Sequence, residues 1–181
     1  SKDQARIPGV DQLVSAGEDF LFGEERVHVF GADGHTRGHI VYWMPESKAL
    51  FCGDVIFSLG CGKLFEGNAE EMWTTLSRLR ELPDDTLVYC AHEYTLENAA
   101  YAITVDPHNP QLIAMLQDGR MKRERGESTV PSLLGDEKAA NPFLRPESVE
   151  IRAEVGITGN EPLWKVFGAV RAHKDEWDSR N

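Results

Sequence analysis

A change of pattern partway along the chain constrains its fold more than any other feature. Up to about residue 105, short strand-like runs alternate with glycine-rich loops; beyond it the pattern turns helical and stays so. Arg26-Val27-His28-Val29-Phe30 alternates, and His39-Ile40-Val41-Tyr42-Trp43 is β-branched and aromatic. Leu50-Phe51-Cys52 and Leu87-Val88-Tyr89-Cys90 are short apolar runs of the kind found in buried strands. Between these last two, Met72, Leu76 and Leu79 recur at i, i+4 and i+7 within 69–82, and Pro83 stands where a helix should stop. After Tyr94 a helix is predicted over 95–105. A second runs from an Asn109 cap and Pro110 to about Arg123, and a third covers 147–154. The last opens at Asn160-Glu161-Pro162, with Leu163, Val166, Phe167 and Val170 on one stripe. Residues 126–141 read as a loop-rich connection. The organisation is an α/β unit over 1–105 and a helical unit over 106–181, with no internal repeat and no low-complexity tract.

Composition narrows the function classes. With 181 residues, 41% hydrophobic and 27% charged, the chain can bury a core and is neither disordered nor fibrous. Its apolar runs fall far short of the ~18–20 residues that span a bilayer. Residues 1–8 lack a basic stretch followed by an apolar one, so no secretory signal is expected in them. Three cysteines, Cys52, Cys61 and Cys90, predict no disulfide framework, and a reducing, cytoplasmic compartment fits. The net charge of −11 argues against partnership with nucleic acid or an anionic membrane. Basic groups that hold an anionic small molecule must be local exceptions to that field.

Three segments place a metal-competent side chain at the edge of a predicted strand. They are Gly34-His35-Thr36-Arg37-Gly38-His39, Phe51-Cys52-Gly53-Asp54 and Tyr89-Cys90-Ala91-His92-Glu93-Tyr94. Imidazole and carboxylate are the ligands expected for zinc or a similar first-row metal, and ligands on separate strand ends can converge on one rim. Taken singly, each has a plainer reading: a histidine beside a strand is ordinarily solvated, and an aspartate after one is ordinarily a turn residue or helix cap. His39, at a strand start, reads as structural. His28, His108 and His173 read as surface residues. Cys90 and His92 share a strand face, but no third group orients them, and Cys52 and Cys90 lie in apolar runs typical of inert thiols. Cys61 reads as a small residue in a glycine-rich loop.

These segments, together with Gly60-Cys61-Gly62-Lys63-Leu64-Phe65-Glu66-Gly67, resemble in order and spacing the glyoxalase II (hydroxyacylglutathione hydrolase) family of the metallo-β-lactamase superfamily. Cys90-Ala91-His92-Glu93-Tyr94-Thr95, Asn141-Pro142-Phe143-Leu144-Arg145 and Arg171-Ala172-His173-Lys174-Asp175 carry the likeness through the second half. The resemblance implies an α/β (α+β) fold: a metallo-β-lactamase αββα sandwich followed by a C-terminal helical substrate-binding domain. It implies a two-metal site, zinc first with iron or manganese as alternatives, in which His35 and His92 each serve one ion. Asp54 bridges them and is the catalytic carboxylate. Lys63, Tyr94, Arg171 and Lys174 would hold glutathione, and Phe65 stands where some members have a tyrosine that adds a polar contact. The implied reaction is attack of a metal-bound hydroxide on an S-acylglutathione thioester, such as S-lactoylglutathione, as part of methylglyoxal detoxification by a monomeric enzyme. Without the resemblance, Arg171 and Lys174 would read as an ordinary solvated helix face.

The family's His-x-His-x-Asp-His segment, which supplies its further metal ligands, occurs nowhere in these 181 residues. The resemblance places Ser1 at a point inside the family's first domain, so the sandwich is expected to be N-terminally incomplete. Two alternatives stand beside the thiolesterase: a superfamily relative acting on a glutathione-derived thiol, of the persulfide dioxygenase type, and a noncatalytic glutathione-binding fragment.

Overall fold

The computed structural model describes residues 8–180; residues 1–7, most of the stretch searched for a signal, and Asn181 lie outside the described residues. Strands β1 (Asp19–Phe22), β2 (Glu25–Gly31), β3 (Ile40–Met44) and β4 (Ala49–Gly53) form an antiparallel meander. A small hairpin follows, β5 (Ile56–Phe57) and β6 (Gly60–Cys61), then helix α1 (Ala69–Leu79) and strand β7 (Leu87–Cys90). β7 lies parallel to β4, as the intervening helix crossover requires. Helices α2 (Thr95–Val105) and α3 (Pro110–Glu124) come next, then strand β8 (Ser132–Leu133), which pairs antiparallel to β7. Helices α4 (Leu134–Ala140), α5 (Val149–Glu154) and α6 (Leu163–Asp178) complete the chain, with a 3-10 turn at Pro142–Leu144. The large sheet has the order β1-β2-β3-β4-β7-β8.

This topology decides where the site lies. β2 and β4 are both antiparallel to β3, and β7 is parallel to β4, so the C-terminal ends of β2, β4 and β7 share one edge of the sheet. The loops that leave those three ends carry His35, Asp54 and His92.

Period-two alternation puts Val41, Leu50, Cys52 and Val88 into one buried core with Met72, Leu76 and Leu79 of α1 and Phe143, Phe167 and Val170 from the second half. α1 is fixed at its start by Asn68, whose side chain accepts from the N–H groups of Glu70 and Glu71 while Glu71 accepts from the Asn68 N–H. The opposite sheet face stacks Phe51 on Tyr89 at 4.9 Å and leaves Phe51 exposed.

Four expectations are corrected. The connection 126–141 contains a strand and the helix α4; a seven-residue helix with Gly135 inside it spans too few turns to show a periodic pattern, and tertiary contacts stabilise it. Leu163 is exposed, because α6 turns Val166, Phe167, Val170, Arg171 and Lys174 inward instead. His28 is half-buried, 2.8 Å from Asp19 and stacked on Trp43. His173 is half-buried against Tyr101, with Nδ1 3.3 Å from the hydroxyl. Among the described residues no helix is long and apolar enough to cross a membrane.

Candidate functional site

His35 sits in the loop from β2 to β3, and that loop is held by the glycine-rich segment after β6. The His35 carbonyl accepts from the Phe65 and Glu66 N–H groups at 3.1 and 3.3 Å, and the Gly34 carbonyl accepts from Gly67 at 3.2 Å. His35 Nδ1 lies 2.7 Å from the Lys63 carbonyl oxygen. A carbonyl only accepts, so Nδ1 carries a proton, and of the two neutral tautomers this contact selects the one whose lone pair is at Nε2.

Asp54 follows β4 across Gly53, whose φ of +54° is a turn conformation that suits glycine. His92 lies two residues past β7, and the Ala91 N–H donates to the Gly53 carbonyl at 3.1 Å, tying the two strand ends together. Its ring stacks on Tyr94 at 4.8 Å. Glu93, between them, accepts from the Ser128 hydroxyl at 2.8 Å and from the Thr129 N–H, anchoring this segment to the loop before β8.

The three side chains meet. His35 Nε2 is 3.7 Å from Asp54 Oδ2, and His92 Nε2 is 3.3 Å from Asp54 Oδ1. Each imidazole thus faces its own carboxylate oxygen, and Asp54 Oδ1 is buried without a hydrogen-bond partner. A buried carboxylate oxygen without a hydrogen-bond partner, facing the His92 ring, is an electrostatic setting that suits a cation. Among the described residues, no three His, Cys, Asp or Glu side chains are arranged to hold a metal ion. The arrangement is a carboxylate with one imidazole on each side, an oxygen facing each ring.

The cavity over these groups has a volume of about 740 Å³ and is also lined by Lys63, Tyr94, Arg171 and Lys174. All seven residues singled out in the sequence are thus brought to one cavity. Arg171 and Lys174 are not on a solvated helix face: they are 3% and 5% exposed. Arg171 donates to the Cys61 carbonyl at 3.1 Å and to Asp175 at 2.8 and 3.1 Å, with its guanidinium 5.0 Å from the Phe143 ring centre. Lys174 lies over Tyr101 and Trp177 and pairs with Asp178. Phe65 is 70% exposed with its ring 5.0 Å from that of His35, so it offers an apolar edge to the cavity mouth.

Burial disfavours the thiolate at all three cysteines. Burial pushes Cys52 up to about 12 and Cys61 up to about 11, the latter against the pull of Arg171. Burial raises Cys90 as well, and its thiol donates to the His92 backbone carbonyl, not to the ring. His39 is half-buried with Nδ1 unpartnered; burial first, then His35, holds it below the usual histidine range.

Two features escaped the sequence reading. Asp178 lies within ion-pair distance of all three cavity cations, and the signal was present: it is i+4 from Lys174 and i+7 from Arg171, on one helix stripe. Glu137 and Asn141 clasp the β5–β6 hairpin from α4 and its cap. Glu137 accepts from the Leu59 N–H at 2.8 Å, and Asn141 donates to the Phe57 and Gly60 carbonyls and to Glu137.

Residues 93–177 match the family model described as hydroxyacylglutathione hydrolase C-terminus, and residues 2–92 match the metallo-beta-lactamase superfamily. The chain is 49% identical over 173 residues to a hydroxyacylglutathione hydrolase of Methylococcus capsulatus, covering 96% of this chain and 67% of that protein. It is 47% identical over 175 residues to one from Rhodospirillum rubrum, covering 97% and 68%. The crystal structure of ETHE1 from Myxococcus xanthus superposes with a TM-score of 0.54 at 25% identity, covering 92% of this chain and 61% of that one. The chain spans about two thirds of these relatives' length.

Proposed function

This chain belongs to the hydroxyacylglutathione hydrolase family of the metallo-beta-lactamase superfamily, and from that membership we propose that it forms the active site of a thiolesterase. Its substrate is an S-acylglutathione, S-lactoylglutathione first, and its products are glutathione and a hydroxy acid. The observation that carries this reading is the convergence of two kinds of group on one cavity: a carboxylate between two imidazoles, and three cations with a tyrosine.

His35, Asp54 and His92 would hold two divalent ions, zinc first. Bound there, the ions supply an acidified water and a Lewis acid for the thioester carbonyl. The chain's own residues do the rest. The Lys63 carbonyl keeps His35 in the tautomer that presents Nε2, and Asp54 offers one oxygen to each side. Lys63, Arg171 and Lys174 are the positive groups on the cavity wall of a chain whose net charge is −11, and they draw the carboxylate of glutathione. Tyr94, stacked on His92, offers its hydroxyl to the tripeptide backbone. The unpaired thiols of Cys52, Cys61 and Cys90 support a reducing, cytoplasmic setting, where a monomer of this kind would dispose of methylglyoxal already captured by glutathione.

The test is turnover of S-lactoylglutathione by the purified protein before and after chelator stripping. Loss on stripping and recovery with zinc are expected. Undiminished turnover after stripping, or none with two ions bound, overturns the reading.

A further inference from the structure

We propose that Asp178 is a resident carboxylate that occupies the anion position formed by Lys63, Arg171 and Lys174, so that a ligand's own carboxylate must take its place. The inference rests on the reading above only for the identity of that ligand. Asp178 is the last residue of α6, and its two oxygens divide the cations between them. Oδ1 lies 2.5 Å from Lys174 Nζ; Oδ2 lies 3.3 Å from Lys63 Nζ and 3.7 Å from the Arg171 guanidinium. Lys63 comes from the loop after β6, far from α6 in sequence, so the tertiary fold assembles this arrangement.

Three points favour a placeholder over a permanent brace. The buried Arg171 and Lys174 require a counter-charge, and among the described residues Asp178 is the one carboxylate paired with Lys174 and with the half-exposed Lys63, whereas Arg171 also has Asp175. A carboxylate at the C-terminal end of a helix faces the negative end of the helix dipole, so the cations alone hold it there. Asp178 also lines the cavity that contains His35, Asp54 and His92, with its side chain 23% exposed, and has solvent to turn into when displaced. The exchange is of one carboxylate for another, so the charge at the three cations is conserved. A ligand that ends in a carboxylate can make it, and a ligand that ends in an amide cannot. Asp178 thereby sets selectivity for the anionic terminus.

The experiment titrates the purified protein and its Asp178→Asn and Asp178→Ser variants with N-acetylglycine, glutathione and the C-terminal amide of glutathione. Binding is followed by the Trp177 indole N–H signal, and thermal melting verifies the fold of each variant. N-acetylglycine and glutathione are expected to bind both variants about three- to tenfold more tightly than the parent protein, on the scale of one partly exposed ion pair. The amide is expected to bind all three proteins equally. Equal or weaker carboxylate binding in both variants overturns the proposal, because Asp178 would then assemble the cations instead of filling their site. Absence of N-acetylglycine binding to the variants overturns it too. Tighter N-acetylglycine binding without any glutathione binding upholds the placeholder and overturns the glutathione reading. Glutathione binding that ignores the substitutions does the reverse.

Discussion

At Gly62 a methyl group would sit 2.0 Å from the Asp54 carbonyl oxygen and 3.0 Å from His35 Nδ1. Neither neighbour can yield without moving the candidate ligands. Gly62→Ala is therefore expected to cost about 1–3 kcal/mol of stability, the usual scale of overpacking, and to lower turnover well beyond what that loss explains. Urea denaturation and activity at a temperature where both proteins are folded check this, and a variant with native kinetics would refute the close approach. Among the described residues, Asp54 is the one side chain facing both imidazoles. Asp54→Asn is expected to lower bound zinc toward zero and turnover about 100-fold or more, the scale of losing a dedicated electrostatic group. His92→Gln should still retain zinc on the His35 side. Metal analysis of the two variants checks the difference, and equal metal content in both would count against the bridge. His35, Asp54 and His92 were legible as candidates because ligand types at strand ends, two of them beside a glycine, are a local pattern. The burial of Arg171 and Lys174 was not, since one helix face reads alike whether it meets water or another element.

The β5–β6 hairpin turns at Ser58-Leu59, and Leu59 holds a φ of +58°, a left-handed conformation that a branched side chain resists. α4 supplies what keeps it there. Glu137 is fully buried, its Oε2 accepts from both the Leu59 N–H and Asn141, and its Oε1 has no partner. Burial pushes its carboxyl above the usual 4.5, against those hydrogen bonds. With the folded value raised, the folded state holds a proton that the unfolded chain releases, so Glu137's contribution is fully present below pH 4.5 and falls as pH rises toward the folded value. Glu137→Gln keeps the doubly accepting oxygen and has no proton to lose. Its stability relative to the parent should therefore grow with pH above 4.5, by about 1.4 kcal/mol for each pH unit within the window. Denaturant curves from pH 4.5 to 8 measure this, and a difference independent of pH would contradict it. The clasp also explains why α4 was missed: its defining contact joins residues 78 apart, and no window along the chain contains both.

Over the whole molecule, a net charge of −11 coexists with three cations gathered on one cavity wall. Lys63 is half exposed and reaches in from a loop, whereas Arg171 is buried and ties α6 to the Cys61 carbonyl. The two should separate on substitution. Lys63→Ala is expected to raise KM for S-lactoylglutathione about tenfold with kcat little changed, the mark of lost uniform binding, and to leave stability intact. Arg171→Ala should raise KM and also lower the denaturant midpoint. Added salt should raise the parent's KM more than that of Lys63→Ala. Thermal melts with steady-state kinetics at two ionic strengths check all three, and a destabilised Lys63→Ala would contradict the division. The sequence by itself determined the change from strands to helices, the central strands β2, β3, β4 and β7 with helix α1, and the strand-end positions of His35, Asp54 and His92, because periodicity, turn chemistry and apolar context are local. Only the tertiary structure decided that the ends of β2, β4 and β7 share an edge, that Lys63 meets Arg171 and Lys174 across 108 and 111 residues of chain, and that Asp178 stands among them. Such contacts depend on strand order and on how α6 docks, and those are set by burying one common core rather than by any single segment.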